Sequence, residues 1–295
     1  MKKRVLSVMV CVMAVVNIAS ADIIRGIEMD FVTIGHAGNA ADTQVMSDGT
    51  TGYGSVGRDF RIGKYEVTNA QWNTFTGVAG TPTGNDGGYS YSASYTGAQQ
   101  PTNMVSWYET LQFCNYLTSG DKSKGVYQFS GNNTNPGDFI GIGREAAQAV
   151  YGTIYYLPTE DEWYKAAYYK PNGSGYSLYA NGTGTAPIAG VQSNYNLSGT
   201  VWDVNKGTEE QNGTFNMMGN VFEWNELING PYRGLRGGSF YSYGGNSLGS
   251  SGRDFHPTNY PNFEDESFGF RVASTPEPAT LLLLGLGGLV LRKRK

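Results

Sequence analysis

The feature that most constrains the fold is a helix-start motif that occurs three times along the chain. In each copy a threonine or serine is followed, three residues later, by glutamine or glutamate. The pairs are Thr68 and Gln71, Ser106 and Glu109, and Thr159 and Glu162. The hydroxyl can accept a hydrogen bond from an amide of the first turn, and the Gln or Glu side chain can accept one from the amide of the capping residue. The motifs therefore predict three short helices that begin at these residues.

Short strands and glycine-rich connections complete the pattern. Apolar or alternating segments predict strands at residues 29–34, 60–67, 215–217, 234–240 and 268–273. The chain contains 42 glycines, and its long polar stretches lie at 81–100, 120–143 and 171–190. Such stretches cannot form a core by themselves. The sequence therefore predicts an α+β, loop-rich fold, in a body of about 250 residues that can bury one large core.

The beginning of the chain predicts a secretory signal peptide over residues 1–21. Basic residues at 2–4 precede an apolar run at 5–18, and the small residues at 19–21 provide a cleavage site. The alternative is a membrane anchor. It is disfavoured because the apolar run is shorter than the roughly 20 residues of a spanning helix.

The end of the chain has a different three-part order. Pro276, Glu277 and Pro278 precede an apolar run at 279–291, and residues 292–295 are all basic. This order resembles the PEP-CTERM sorting signal. The resemblance implies transient transmembrane anchoring in the inner membrane through 279–291, cleavage by an exosortase, and delivery to the cell surface or extracellular matrix. The alternative is an ordinary tail anchor. The predicted divisions are therefore 1–21, 22–274 and 275–295.

The central body is acidic and contains one cysteine. The two ends hold seven basic residues and one acidic residue, so the body has a net charge of about −10. We expect no nucleic-acid partner, because such binding needs clustered Lys and Arg. Cys11 lies in the signal segment, which leaves Cys114 without a disulfide partner after export. Cys114 recurs at helical spacing with Trp107, Leu111 and Leu117, and this pattern predicts an inert core thiol.

Six blocks, in order along the chain, resemble the formylglycine-generating enzyme or sulfatase-modifying-factor family. The blocks are residues 62–69, 101–117, 157–163, 218–224, 236–239 and 269–271. The fourth block is a Gly-Asn-x-x-Glu-Trp turn, and the last two are Arg-Gly-Gly-Ser and Gly-Phe-Arg. The resemblance spans about residues 28–274. It implies a C-type-lectin-like α+β fold.

The active enzymes of this family place two copper-binding cysteines after the Gly-Gly-Ser sequence. Counting from that sequence, the two positions are Ser242 and Ser247 in this chain. Copper(I) selects soft thiolate ligands, whereas a serine hydroxyl is hard and does not ionise near neutral pH. We therefore expect no copper site and no formylglycine-generating oxidase activity, and we assign no catalytic residue. A related branch of the fold binds iron through histidines, but His36 and His256 are better interpreted as exposed loop residues.

The resemblance also implies structural calcium. Calcium needs oxygen ligands from carboxylates, amide side chains and backbone carbonyls in turns. The family's sites use the Gly-Asn-x-x-Glu turn and an earlier Asn-aromatic pair with a following acid. The matching residues are Gly219, Asn220, Val221 and Glu223 in one site, and Asn194, Tyr195 and Asp203 in the other. The alternative is that Glu223 forms a buried hydrogen-bonded turn without metal.

The segment that follows Gly-Gly-Ser is rich in Tyr, Ser, Asn and Gly, a composition typical of antibody-type binding loops. The ligand-binding candidates are Ser239, Tyr241, Tyr243, Asn246, Asp254, His256, Asn259 and Tyr260. The alternative is an ordinary exposed loop. Arg236 and Arg271 frame the segment, and we expect them to tie strands together by charge-assisted hydrogen bonds.

The leading hypothesis is a secreted or surface-sorted, non-catalytic binding module. Its ligand would be an extracellular polysaccharide or a surface protein. One alternative is a divergent formylglycine-generating-type oxidase or another enzyme on the same fold. A second alternative is a structural matrix protein.

Overall fold

The computed structural model of the protein describes residues 21–84, 95–130, 138–253 and 259–276. Within these residues the chain forms helices α1 (Asn69–Ala79), α2 (Trp107–Ser119), α3 (Arg144–Tyr151) and α4 (Glu160–Tyr168). Helices α1, α2 and α4 are the three that the sequence predicts. Each begins with a complete capping box, in which both reciprocal hydrogen bonds are present.

Eleven short strands accompany the helices in the described part of the chain. They are β1 (Asp22–Ile24), β2 (Ile27–Met29), β3 (Phe31–Ile34), β4 (Phe60–Gly63), β5 (Tyr127–Phe129), β6 (Phe139–Ile142), β7 (Tyr155–Tyr156), β8 (Phe222–Asn229), β9 (Tyr232–Arg236), β10 (Phe268–Phe270) and β11 (Ala273–Ser274). One sheet has the order β3-β4-β11-β7 and another the order β10-β8-β9, while β1-β2 and β5-β6 are separate hairpins. The β10–β8 contact is parallel and the others are antiparallel.

Several sequence-based boundaries were wrong for identifiable reasons. Residues 215–217 are an irregular buried segment, because the Met217 amide donates to the Glu210 carboxylate at 3.1 Å instead of to a strand. The strand predicted at 234–240 ends at Arg236, because Gly237 and Gly238 have φ values of 94° and 74°, which no strand accommodates. Helix α3 was missed, since its N-cap Gly143 provides no side-chain hydrogen bond.

The core consists of two main clusters of apolar side chains. The larger one packs α1 and α2 against the strands through the rings of Trp72, Phe75, Phe113 and Phe270. The second lies beneath α4 and includes Trp163 and Tyr168. Cys114 is fully buried in the larger cluster, and burial raises the pKa of its thiol well above the usual value. These features agree with the predicted core thiol.

The end of the folded body is fixed to its middle. Strand β11 lies between β4 and β7, and Thr275 then exchanges hydrogen bonds with the backbone of Ile154. Thr275 is buried, whereas Pro276 is exposed. Thr275 is therefore part of the folded body. No helix in the described ranges is long and apolar enough to cross a membrane, and the predicted span at 279–291 lies outside these ranges, as do residues 1–20, Glu277 and Pro278.

Candidate functional site

The Gly-Gly-Ser turn brings the two serines together. The Ser242 hydroxyl accepts a hydrogen bond from the Ser239 amide at 2.9 Å. The hydroxyl oxygens of Ser242 and Ser247 lie 3.0 and 3.1 Å from the point where a Cβ on Gly238 would stand. Both side chains therefore point into the same space beside the turn, although the two serines are five positions apart in the sequence.

A cavity of about 310 Å³ opens next to this turn. Its lining includes Ser247, Asn246, Phe222, Arg236 and Arg253. Ser247 therefore lines an open cavity, whereas the Ser242 hydroxyl is engaged with the backbone of the turn. The volume falls within the range of small-molecule sites in proteins.

A buried carboxylate neutralises the arginines of this cavity. Glu160, the first residue of α4, accepts hydrogen bonds from Arg236 at 2.6 Å and from Arg253 at 2.6 Å. Arg253 also pairs with Asp48 at 2.5 Å. Among the described residues, the two guanidinium groups of the cavity are thus matched by two carboxylates, which leaves no excess positive charge for an anionic ligand. Arg236 has the structural role that the sequence indicates.

Residues 245–249 read Gly-Asn-Ser-Leu-Gly and match the Gly-x-Ser-x-Gly pattern of serine hydrolases. The sequence interpretation overlooked this match. The structure places Ser247 in a short 3₁₀ helix, Asn246–Leu248, and not at the strand-to-helix turn that exposes such a nucleophile. A serine nucleophile also needs a histidine as its base. The His36 imidazole is hydrogen-bonded to the Pro171 carbonyl at 3.0 Å. The pattern therefore does not form a nucleophile elbow here.

An exposed face surrounds the serine turn. Tyr241 and Tyr243 are 44% and 84% exposed, and Asn246 is also exposed. The Tyr241 hydroxyl donates to the Glu266 carboxylate, and this hydrogen bond raises the pKa of Tyr241 to about 12. Tyr241 is thereby held in one orientation, while Tyr243 projects freely into solvent.

A second loop contributes to this face. The amide of Asn196 donates to the Ser242 carbonyl at 2.8 Å, and the amide of Ser198 donates to the Phe240 carbonyl at 3.1 Å. Between them Leu197 is 58% exposed and has a φ of 59°, an uncommon conformation for leucine. We call Leu197, Tyr241, Tyr243 and Asn246 the tyrosine face. Leu197 was not among the predicted binding residues, because the pairing joins loops that are distant along the chain.

The remaining ligand-binding candidates lie elsewhere. Ser239 and Asn259 are buried, so their side chains are not part of an exposed face. Tyr260 is exposed but packs against Tyr232, with ring centroids 5.2 Å apart. Asp254 and His256 lie outside the described residues.

The Glu223 turn forms a buried ion pair. Arg271 donates to the two carboxylate oxygens of Glu223 at 2.6 and 2.5 Å, and the Trp163 indole donates at 2.7 Å. The Glu223 carboxylate is therefore held by buried hydrogen bonds, and Arg271 has the predicted structural role. Among the described residues no group of three or more His, Cys, Asp and Glu side chains is arranged to hold a metal.

The two segments predicted to bind calcium do meet. Asn220 accepts a hydrogen bond from the Asn194 side chain at 3.0 Å and donates to Glu66 at 2.8 Å. Tyr195 instead donates to the Pro187 carbonyl at 2.7 Å, and Asp203 is exposed. Calcium at either segment stays a prediction, which calorimetric titration of chelator-treated protein with Ca²⁺ can test.

Glu66 is a buried acid that the sequence interpretation did not single out. Burial, followed by the nearby charge of Glu223, raises the pKa of Glu66 well above its usual value. Burial also raises the pKa of Glu210 to about 7. Glu66, Glu210 and Glu223 all interact electrostatically with one arginine, Arg271, and protonation of Glu66 or Glu210 lowers the excess negative charge around it.

Comparison with known proteins defines the class of this chain. The sulfatase-modifying factor enzyme 1-like domain matches residues 31–276, and the protein therefore belongs to this family. The PEP-CTERM protein-sorting motif matches residues 274–295. This motif indicates export and exosortase-mediated sorting to the surface. The predicted family, its α+β fold and the nature of the sorting tail are thus confirmed.

Individual relatives are more distant. Chaperone protein LppX of Paenibacillus barcinonensis is 27% identical over an alignment of 190 residues, and the alignment covers 56% of this chain and 61% of that protein. The chain thus spans about three fifths of this curated relative.

Solved structures share the fold. Treponema denticola variable protein 1 has a TM-score of 0.62 and 21% identity, with 88% of this chain and 99% of that chain covered. CarF has a TM-score of 0.58 and 21% identity, covering 84% of this chain and 99% of its own. PvdO from Pseudomonas aeruginosa has a TM-score of 0.58 and 15% identity, covering 84% and 95%. At these identities the similarity shows the fold alone.

Proposed function

We propose that this protein is a surface-sorted binding module that contacts a macromolecule through the tyrosine face. The observation that carries the proposal is the hydrogen-bonded pairing of two loops, which holds Leu197, Tyr241 and Tyr243 in solvent. The fixed backbone of the two loops and the hydrogen-bonded ring of Tyr241 reduce the conformational entropy that is lost when a partner covers the face. The face is therefore suited to contact.

The chemistry of the serine turn supports a non-catalytic role. Hydroxyls occupy the two positions at which the family's active enzymes have copper-binding thiolates, and hydroxyls are poor ligands for Cu(I). Cys114 cannot substitute, because it is fully buried in the core and its thiol pKa is raised. We therefore infer that the module lacks formylglycine-generating activity.

Of the two proposed ligand classes, a surface protein is the better match for this face. Leu197 offers an apolar contact beside two tyrosines, and such mixtures of aliphatic and aromatic side chains are typical of protein interfaces. An extracellular polysaccharide is the second candidate, because tyrosine rings and Asn246 can also contact sugars.

The test is saturable binding of the exported, processed protein to the surface of intact cells that carry a PEP-CTERM system. We expect Tyr241→Ser/Tyr243→Ser to bind at least about tenfold more weakly than wild type. Tyr151→Ser, which removes an exposed tyrosine from α3, is the matched control and should bind normally. Protease treatment of the cells should remove binding, whereas periodate treatment should not. Equal binding by the double variant and wild type would contradict the proposal.

The enzymatic alternative has its own assay. Protein loaded with copper is incubated with a cysteine-containing sulfatase peptide, and the peptide mass is followed for aldehyde formation. We expect no mass change. Conversion of the peptide at catalytic ratios would replace the binding proposal with an oxidase. The structural-protein alternative is tested separately: if the extracellular matrix stays intact when this protein is lost from the cell surface, that alternative is wrong.

A further inference from the structure

A second cavity, separate from the serine turn, lies between the β1–β2 hairpin, the start of α1 and the loop at Val204. Its volume is about 470 Å³, which suits a small ligand. Eight of its lining residues have polar side chains. Thr68, Gln71 and Thr74 use theirs in hydrogen bonds within the protein, and the other five are Glu28, Asp30, Tyr65, Gln99 and Asn205. We propose that this cavity, the hairpin groove, binds a saccharide of about one or two units.

Three hydrogen bonds from different segments of the chain fix the backbone of the groove. The Gln71 side chain donates to the Glu28 carbonyl at 2.7 Å, and the same side chain completes the capping box of α1. The Lys64 amide donates to the Asp30 carbonyl at 2.8 Å. The Val204 amide donates to the Gln99 carbonyl at 2.9 Å. The walls are therefore preorganised, which lowers the entropic cost of binding.

The side chains on these walls remain available for a ligand. Within the described residues, none of the five polar side chains makes a hydrogen bond to another residue. Carboxylates accept charge-assisted hydrogen bonds from sugar hydroxyls, and the amides of Gln99 and Asn205 can both donate and accept. The groove thus offers donors and acceptors that match a polyhydroxylated ligand.

An aromatic ring supplies the apolar part of the site. Tyr65 packs against Phe215 with ring centroids 5.3 Å apart, and the Lys64 ammonium lies over both rings. This packing fixes the Tyr65 ring, while its hydroxyl has no partner within the described residues. A fixed ring beside carboxylates and amides provides both contact area and orientation for a sugar.

Charge narrows the ligand class. Glu28 and Asp30 are both acidic, and the nearby Lys64 is already paired with Glu209 at 2.8 Å. The Lys64 ammonium is shared between Glu209 and Asp30, so a uronic acid, sulfated sugar or phosphosugar would meet a net negative charge. The groove should therefore select neutral or amine-bearing sugars. This inference concerns a different surface from the tyrosine face and does not depend on the function proposed for that face.

Ligand-observed NMR and calorimetry of the processed protein can test the groove. The probes are cellobiose, chitobiose and the deacetylated chitosan disaccharide, with glucuronic acid as the anionic comparison, in buffer that contains a calcium chelator. We expect saturable binding of at least one neutral or amine-bearing disaccharide and no binding of glucuronic acid. Glu28→Gln/Asp30→Asn should weaken that binding at least about tenfold, because neutral amides make weaker hydrogen bonds to hydroxyls.

Two further variants keep the result interpretable. Thr74→Arg places a long side chain at the groove from the exposed face of α1 and should block binding while the thermal unfolding temperature is retained. Tyr243→Ser alters only the tyrosine face and should bind the disaccharide like wild type. The proposal is wrong if no probe binds, if glucuronic acid binds equally well, or if Thr74→Arg has no effect. Binding that appears only when Ca²⁺ is added would also overturn it, since the sugar would then be held by a metal.

Discussion

Arg271 donates hydrogen bonds to both carboxylate oxygens of Glu223, and both side chains are fully buried. Glu223 lies on β8, and Arg271 directly follows β10, so the ion pair reinforces the parallel contact between these strands. The indole of Trp163 adds a hydrogen bond from α4. One carboxylate therefore connects a helix and two strands close to the serine turn.

Removal of the arginine should be strongly destabilising. We expect Arg271→Met to lower the free energy of unfolding by about 3–5 kcal/mol, because Glu223 would remain buried without its partner. Urea denaturation measures this change. The control is Arg58→Met, which removes the ion pair between Arg58 and Glu162. The Arg58 side chain is 48% exposed, so its loss should lower the free energy of unfolding by at most about 1 kcal/mol. Arg271→Met/Glu223→Leu should be more stable than Arg271→Met, and the opposite order would show that an unpaired charge is not the cause.

Stability should fall as pH rises because of Glu210. Burial raises the pKa of Glu210 from its usual value of 4.5 to about 7 in the folded protein. Between these two pH values the folded state therefore keeps a proton that the unfolded state has lost. The free energy of unfolding should therefore decrease between about pH 4.5 and pH 7, by roughly 3 kcal/mol at most from this group. The raised pKa of Glu66 acts in the same direction.

Glu210→Gln isolates this contribution. The amide oxygen can still accept hydrogen bonds from Thr214 and the Met217 amide, but the side chain no longer titrates. Urea denaturation at pH 5 and pH 8 should show a smaller stability difference for Glu210→Gln than for wild type. An unchanged difference would mean that other groups control the pH dependence.

The parts of the fold that local chemistry determines were predictable from the sequence. Thr68, Ser106 and Thr159 each begin a helix because the hydroxyl and the Gln or Glu partner lie within one turn of each other. Helix α3 has no such signal, since glycine precedes it. The order of the blocks around Gly-Gly-Ser and Gly-Phe-Arg likewise identified the family.

The parts that depend on contacts between distant segments could not be predicted. Leu197 joins the tyrosine face only because its neighbours bond to Phe240 and Ser242, and nothing near Leu197 in the sequence indicates that pairing. The walls of the hairpin groove come from segments around Glu28, Gln71 and Val204. The burial of the binding candidates Ser239 and Asn259 could not be predicted either, because burial depends on the complete tertiary structure.

The Gly219 turn should tolerate no side chain. Gly219 has a φ of 88°, and a Cβ there would lie 2.4 Å from the Asn194 carbonyl oxygen, a backbone atom that cannot move aside cheaply. Gly49 has a similar φ of 84° with no atom within 4 Å of its Cβ position, so Gly49→Ala isolates the cost of backbone strain. We expect Gly219→Ala to lose at least about 2 kcal/mol more than Gly49→Ala in thermal or urea denaturation. Equal losses would contradict the close approach of the two segments.

The serine turn should accept copper once thiols are restored. The hydroxyls of Ser242 and Ser247 lie 3.0 and 3.1 Å from one common point, so cysteines at both positions would direct two sulfurs into the same space. Two thiolates select Cu(I), whereas one thiolate beside a hydroxyl does not. We expect Ser242→Cys/Ser247→Cys to bind one Cu(I) at least about tenfold more tightly than either single variant, with no comparable site in wild type.

Competition against a chromogenic Cu(I) chelator under reducing, oxygen-free conditions measures this affinity. The two single variants control for nonspecific thiol binding, and Cys114 is common to all the proteins and fully buried. If the double variant bound no more tightly than the single variants, the two positions would not converge in solution. If it bound copper but did not oxidise a sulfatase peptide, two thiolate ligands at these positions would not be sufficient for oxidase activity.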